Sequence, residues 1–462
     1  MAEPGRSAGS TYCSPGCVAA GGQSSPIGRR PAPQFHRRNH RRGGIRPFRR
    51  DHSQHGSGDL AFGWPGPNAA VFGCYGRSDH RTSKPRNPLR PSPVNGLNLE
   101  RPREGADGTM ISLLPLRRAG PIGVDIGSNS VKLLQLSADR RQVLESVCWE
   151  LPRGEDGLPV RTEETIFQTL CRARQARHFR GREAVLALGA EELFIQNLRL
   201  PESKGESLEK LVFNEAASRL PFEAAEAEIR FLQTEPVRQG DAVRLEVILL
   251  ACRRPIIEQK VALAEKAGLI PVALEPQPMA LLRCYSKQYR RESDQQRRTM
   301  YVHIGASSTT VLIARGNDLM FIKPIAWGGR AMDEAVAQHL KMRLPEASAL
   351  RRHHGDRRGD HRDPEVSQAI QEAVRPVWDR LANELAMCTR YFSITFRGDP
   401  LSGLVLGGGE ASRELADWLG AQLNLPCELA DPFRAFQTRP SSGRQTQWDV
   451  VAGLALHEGP RN

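Results

Sequence analysis

The stretch Pro121–Ser137, PIGVDIGSNSVKLLQLS, decides the fold. Two short apolar runs flank a Gly-Ser-Asn-Ser turn, the pattern of strand, tight turn and strand. The same unit returns at Met300–Arg315, MYVHIGASSTTVLIAR. Val124-Asp125-Ile126-Gly127-Ser128-Asn129-Ser130-Val131 corresponds position by position to Val302-His303-Ile304-Gly305-Ala306-Ser307-Ser308-Thr309. Each copy opens a half of the chain and is followed by helical segments. Duplication of such a unit predicts two similar α/β halves facing each other, with a ligand cleft where the two turns meet. A third glycine turn, Leu406-Gly407-Gly408-Gly409, strengthens that reading.

Working outward, a third strand is expected near VLESVCWEL and a helix over 162–178. Residues 183–254 read as an inserted unit of strands around the helix SLEKLVFNEAASRL, which Pro221 ends. The first half resumes at 255–298 with PIIEQKVALAEKAG, a helix with Pro at its first turn and Gly268 past its end. The second half spans 299–456: three strands, a helix after Gly329, a polar loop at 351–363 and a long helix over 364–396. That long helix carries an apolar stripe at Ile370, Val374, Val377, Leu381, Leu385 and Cys388. A strand into the glycine turn, the helix RELADWLGAQL and a last helix near 447–457 complete it, and 457–462 is a tail.

The formal net charge of +13 is unevenly spread. Residues 1–109 hold 17 Lys+Arg against 7 Asp+Glu, so the remainder is nearly balanced. That basic segment lacks helical or strand periodicity and is expected to be disordered. Translation from Met110 or a nearby start is favoured, because ISLLPLRRAGPIGVDIG follows directly. A nucleic-acid partner has only the tail to support it and is set aside. No apolar run of about 18 residues is present, so no transmembrane helix and no direct membrane insertion are expected. Nine cysteines are an odd number, and those of the folded part, isolated in apolar stretches, fit free thiols better than disulfides. Cys13 and Cys17 alone are too few for a zinc site.

The residue types at the turns suit a phosphate chain. Glycine at 127, 305 and 407–409 permits close backbone approach, and hydroxyl or amide side chains supply donors. Ser128, Asn129, Ser130, Ser307, Ser308 and Thr309 are those donors. Asp125 at its strand end is placed to orient water on Mg²⁺. Lys132 is placed to reach back to a phosphate as a point charge.

DIGSNSVK (125–132) resembles the first phosphate motif of the superfamily of actin, the heat-shock chaperones and FtsA. VHIGASSTTV resembles its second phosphate motif and LVLGGG its adenosine motif. LRLPESKGESLEKLVFNEAASRLPFE, VALAEKAGLIPVALEPQPMAL and LPCELADPF resemble passages of the type IV pilus assembly protein PilM family. The likeness covers nearly all of 121–456. It implies a duplicated actin-like (ribonuclease-H-like) α/β fold around a nucleotide cleft, with an inserted subdomain of the FtsA/PilM type. It implies ATP or ADP with Mg²⁺ bound by Asp125, Gly127, Ser128, Asn129, Ser130, Lys132, His303, Gly305, Ser307, Ser308, Thr309, Arg351, Gly407, Gly408 and Gly409.

It further implies a cytoplasmic scaffold, peripheral at the inner membrane. Such a scaffold binds the cytoplasmic N-terminal peptide of a bitopic, PilN-like pilus membrane protein near 183–251, and self-association is part of the same expectation. Two departures stand out. His303 occupies a position where the superfamily usually carries Asp, and Ser348 and Arg351 stand where the ribose-contacting helix usually carries Glu and Lys. The resemblance therefore implies nucleotide binding with weak or no hydrolysis. An FtsA-like division protein would end in an amphipathic membrane helix, whereas this sequence ends VVAGLALHEGPRN. A small-molecule kinase of the same superfamily would need an acidic base beside a glycine turn of the second half, and none is evident.

Overall fold

The computed structural model describes residues 119–458, apart from 202–204, 240–241, 289–290, 357–362, 397–399 and 442. The basic segment 1–109, Met110, Cys13 and Cys17 lie outside the described residues. In the first half, β1 (Ala119–Ile126), β2 (Ser130–Ser137) and β3 (Val143–Glu150) precede α1 (Glu163–Gln175) and β4 (Glu183–Leu188). Then come β5 (Phe194–Pro201), α2 (Leu208–Arg219), β6 (Ala227–Gln239) and β7 (Ala242–Arg253). Next, α3 (Arg254–Lys266), β8 (Ile270–Pro276) and α4 (Gln277–Ser286) return to the first sheet.

The second half runs α5 (Glu292–Gln295), β9 (Arg298–Ile304), β10 (Thr309–Arg315), β11 (Asp318–Ile325) and α6 (Gly329–Leu340). It continues with α7 (Leu344–Asp356), α8 (Pro364–Thr395), β12 (Gly403–Gly407), α9 (Arg413–Leu423), β13 (Cys427–Leu429) and α10 (Asp449–Ala455).

The duplication read from the turns extends to the whole topology. One sheet has the order β3-β2-β1-β4-β8 and the other β11-β10-β9-β12-β13. In both, the first three strands of the half are antiparallel and the last two are added in parallel. The central strands are buried on both faces, as sheets covered by helices require. Ile122–Asp125 and Thr299–Ile304 are continuous buried runs. The repeat predicts these two similar halves, and together they are the actin-like ATPase fold that the resemblance implies. The expected stripe on α8 is also buried, from Ile370 through Cys388.

Two sequence-based expectations need correction. The inserted unit does not begin at 183: β4 pairs with β1 and β8 in the first sheet, and the separate sheet β5-β7-β6 starts at Phe194. A strand's sequence reports burial and alternation, not which sheet it joins. The polar segment at 351–363 is not all loop, because α7 continues to Asp356. Its remainder, 357–362, lies outside the described residues. Arginine is a good helix former, and the polar character of the segment conceals the helix. The three-residue β13 is too short to show a period and carries no sequence signal of its own.

α2 covers the small antiparallel sheet with Val212 and Ala216, which pack with Leu198, Leu200, Val247 and Leu249. The sheet also touches the second half. The Asn197 side-chain amide donates to Ile322 O (2.7 Å) and accepts from Ile322 N (3.4 Å). Arg199 pairs with the buried Glu246 and donates to Thr395 Oγ1 on α8 (3.0 Å).

The closing helices of the halves cross, with α4 lying between the two sheets. α10, the last helix of the second half, packs on β1 and β2 of the first sheet and crosses α4. Glycine makes the crossing possible: a Cβ on Gly453 would stand 1.9 Å from Ala280 O, and one on Gly123 would stand 2.6 Å from Val451 O. The crossing is tied by Arg283, which donates to both carboxylate oxygens of Glu275 (2.6 and 2.9 Å) and to Gly453 O (3.0 Å).

Candidate functional site

The cleft forms where the two duplicated turns approach. Each turn is closed the same way: Gly127 N donates to Ser130 O (2.9 Å) and Gly305 N to Ser308 O (2.9 Å). The turns touch across the cleft through a hydrogen bond between the Ser128 and Ser307 hydroxyls. Asp125, Gly127, Ser128, Asn129, Ser130 and Lys132 line one wall. His303, Gly305, Ser308 and Gly409 line the facing one.

Strand register governs the chemistry of each wall. Asp125 and Lys132 are cross-strand partners between β1 and β2, so their side chains share a face and pair at 3.1 Å. Burial alone would lower the Lys132 pKa; the Asp125 carboxylate outweighs it and holds the ammonium above the ordinary lysine value. The expected division of labour, with Asp125 on a metal and Lys132 on a phosphate, therefore starts from a closed pair. In the second half the same register sets His303 opposite Thr310. His303 Nδ1 lies 2.8 Å from Asp449 Oδ2, and Tyr285 OH donates to that same oxygen at 2.8 Å. Asp449 is fully buried at the start of α10. Burial first, and then the Asp449 carboxylate, push the Tyr285 phenol well above its usual range, which keeps it a donor.

Other expected residues sit differently. Arg351 does not line the cleft. It is buried in a bridge to Asp333 Oδ1 (2.6 Å) and Glu410 Oε2 (2.8 Å). Its neighbour Arg352 and Glu410 reach the cleft and pair at 3.1 Å. Burial would lower the Arg351 pKa, but the two carboxylates raise it above the ordinary arginine value. Thr309 turns inward and donates to Trp327 O (2.8 Å). Gly407 backs onto the Tyr285–Asp449 pair, and Gly408, at φ +92°, lies against the Ile304 backbone where a Cβ would meet Ile304 O at 2.2 Å. Gly409 is the member of the run that lines the cleft.

Asp449, Tyr285, Glu410 and Arg352 do not stand out from the sequence motifs. A signal exists for Asp449: it is the lone acid in the apolar segment WDVVAGLAL, where burial with a partner is to be expected.

The cleft fits a polyphosphate. Two glycine turns, several hydroxyls and a lysine converge, and open backbone approach is kept at Gly409. A hard cation fits in the manner of Mg²⁺ held mainly by phosphate and water, with Asp125 as its carboxylate. Among the described residues no cluster of three or more His, Cys, Asp or Glu is placed to hold a metal unaided. Among the described residues no helix is long and apolar enough to cross a membrane.

A family model described as type IV pilus assembly protein PilM matches residues 123–458. Among solved structures, the chain is similar to that of a PilM-PilN type IV pilus biogenesis complex. The identity is 25% and the TM-score 0.59, over 73% of this chain and 98% of that one. It also matches ethanolamine utilization protein EutJ from Carboxydothermus hydrogenoformans at 14% identity and TM-score 0.44, over 73% and 89% of the two chains. MreB5 of Spiroplasma citri bound to ADP matches at 12% and 0.38, over 73% and 94%.

Proposed function

The chain belongs to the PilM family of type IV pilus assembly proteins, and we propose that it acts there as a nucleotide-set scaffold for a membrane partner. The observation that carries this reading is the convergence of two identically closed glycine turns on one cleft, within a chain that matches the family model over 123–458. ATP or ADP with Mg²⁺ occupies the cleft. The two glycine turns with Ser128 and Ser308 would hold its phosphates, with Lys132 as the cation. The protein is cytoplasmic and reaches the inner membrane through the N-terminal cytoplasmic peptide of a PilN-like bitopic protein. Similarity to the solved PilM-PilN complex supports a partner of that kind.

The small sheet is the docking region proposed for that peptide, with α2 beside it. The helix buries Val212 and Ala216 and leaves Phe213 52% exposed. Extended peptides are held by strand addition or by apolar pockets of this kind. The contacts of Asn197 and Arg199 with the second half give the cleft and the docking region a shared scaffold.

Two measurements test the reading. Millimolar MgADP should raise the melting temperature, since a ligand bound only to the folded state stabilises by mass action. Phe213→Asp should abolish capture of a PilN-type cytoplasmic peptide and leave that nucleotide shift intact. No shift with nucleotide refutes the cleft assignment, and wild-type capture by the variant moves the docking site elsewhere.

A further inference from the structure

Most carboxylates of the cleft wall are committed to a close cation, and Glu150, largely exposed, stands 4.0 Å from Arg153. Asp125 pairs with Lys132, Glu191 with Arg161 (3.2 Å), Glu192 with Lys260 (3.0 Å), and Glu410 with Arg351 and Arg352. His303 differs. Its bonded nitrogen is Nδ1, turned away to Asp449. Nε2 lies beside the second glycine turn, 3.9 Å from where a Cβ on Gly305 would stand, and His303 lines the cleft. Asp449 accepts at both oxygens, from Val450 N (2.8 Å) at one and from Tyr285 OH at the other. A carboxylate so supplied takes the Nδ1–H of His303, which makes Nε2 the lone-pair nitrogen of the neutral ring.

Resting on the reading of the cleft as a nucleotide site, we infer that His303 is the general base of a nucleoside triphosphatase activity, positioned by Asp449 and Tyr285. In that step a water oxygen forms a bond to the terminal phosphorus while the bond from that phosphorus to the bridging oxygen breaks. The bridging oxygen leaves on the diphosphate with the electron pair. The water proton passes to Nε2, and Asp449 offsets the positive ring that results. Products are the nucleoside diphosphate and inorganic phosphate, and the ring then returns its proton to solvent. Asp449 lies on α10 and Tyr285 on α4, so the two crossing helices set the direction of the base.

The test uses the full chain with MgATP in single-turnover conditions. Hydrolysis is compared per bound nucleotide, with occupancy measured by a fluorescent ADP analogue. Wild-type turnover should rise with pH as one proton is lost. His303→Gln should lower it roughly 10²-fold and flatten the profile. Asp449→Asn should lower it and displace the profile. Nitrogen NMR of the imidazole, without nucleotide, should show the Nδ1–H tautomer in wild type and its loss in Asp449→Asn. Binding with unchanged hydrolysis in His303→Gln overturns this inference alone, as does an acid-labile phosphoryl group on the ring. Failure of wild type to bind the analogue overturns the nucleotide reading along with it.

Discussion

Removing Lys132 should cost more than a single contact is ordinarily worth. Its ammonium and the Asp125 carboxylate are both nearly buried. Lys132→Met strands a carboxylate in a site of low dielectric, and breaking a buried pair costs about 3–5 kcal/mol. The double variant Asp125→Asn/Lys132→Met should recover most of that loss, and urea melts of the three variants check it. Glu410 gives a pH signature. Burial pushes its pKa up, but Arg351 and Arg352 outweigh burial and hold the carboxyl below the ordinary glutamate value. A depressed folded value stabilises above the unfolded pKa, and that contribution is lost as pH falls through the folded one. Glu410→Gln should therefore flatten the decline in stability below about pH 4.5, read from denaturant melts at stepped pH. Asp125, Lys132 and His303 are legible in the sequence because they sit inside the repeated unit. Their pairings are not, because Asp449 lies 146 positions from His303 and Arg351's partners lie on α6 and past the glycine turn. Spacing to the family motif places Arg351 at the ribose; two buried acids hold it instead.

At the level of elements, the crossing of α4 and α10 is the most intolerant contact. Gly453→Ala inserts a methyl group where the Ala280 backbone already stands. Overpacking of this kind costs about 1–3 kcal/mol, or about 2–4 °C of melting temperature for each kcal/mol. A thermal melt checks this, with Gly205→Ala as the control for space alone, since nothing lies within 4 Å of a Cβ there. Strands and helices whose period matches their burial are legible: the α8 stripe and both strand–turn–strand units need no tertiary information. β13 is not, because it is defined by pairing with β12 more than by its three residues. The end of α7 is hidden by its charge, and β4 reads as part of the insertion because allegiance to a sheet is a long-range property.

For the whole molecule, the segment 1–109 carries no helical or strand periodicity with which to bury an apolar face. A chain begun at Met110 should therefore keep its melting temperature within about a degree or two of the full chain. A larger drop in a differential scan refutes that. The duplication is legible from two turns, and it carries the architecture of both sheets, because the same strand–turn–strand unit builds the same order twice. What it does not reveal is the passage of α10 onto the first sheet, and that passage has a consequence for synthesis. β1 is among the first described strands to leave the ribosome, yet the face it buries against Val451 and Ala455 belongs to α10, the last described helix to follow it. At about 5–20 residues per second, the first sheet waits tens of seconds for its cover. A nascent chain stalled before Asp449 should remain protease-sensitive in both halves, so emergence of α10, rather than completion of the first half, licenses the fold.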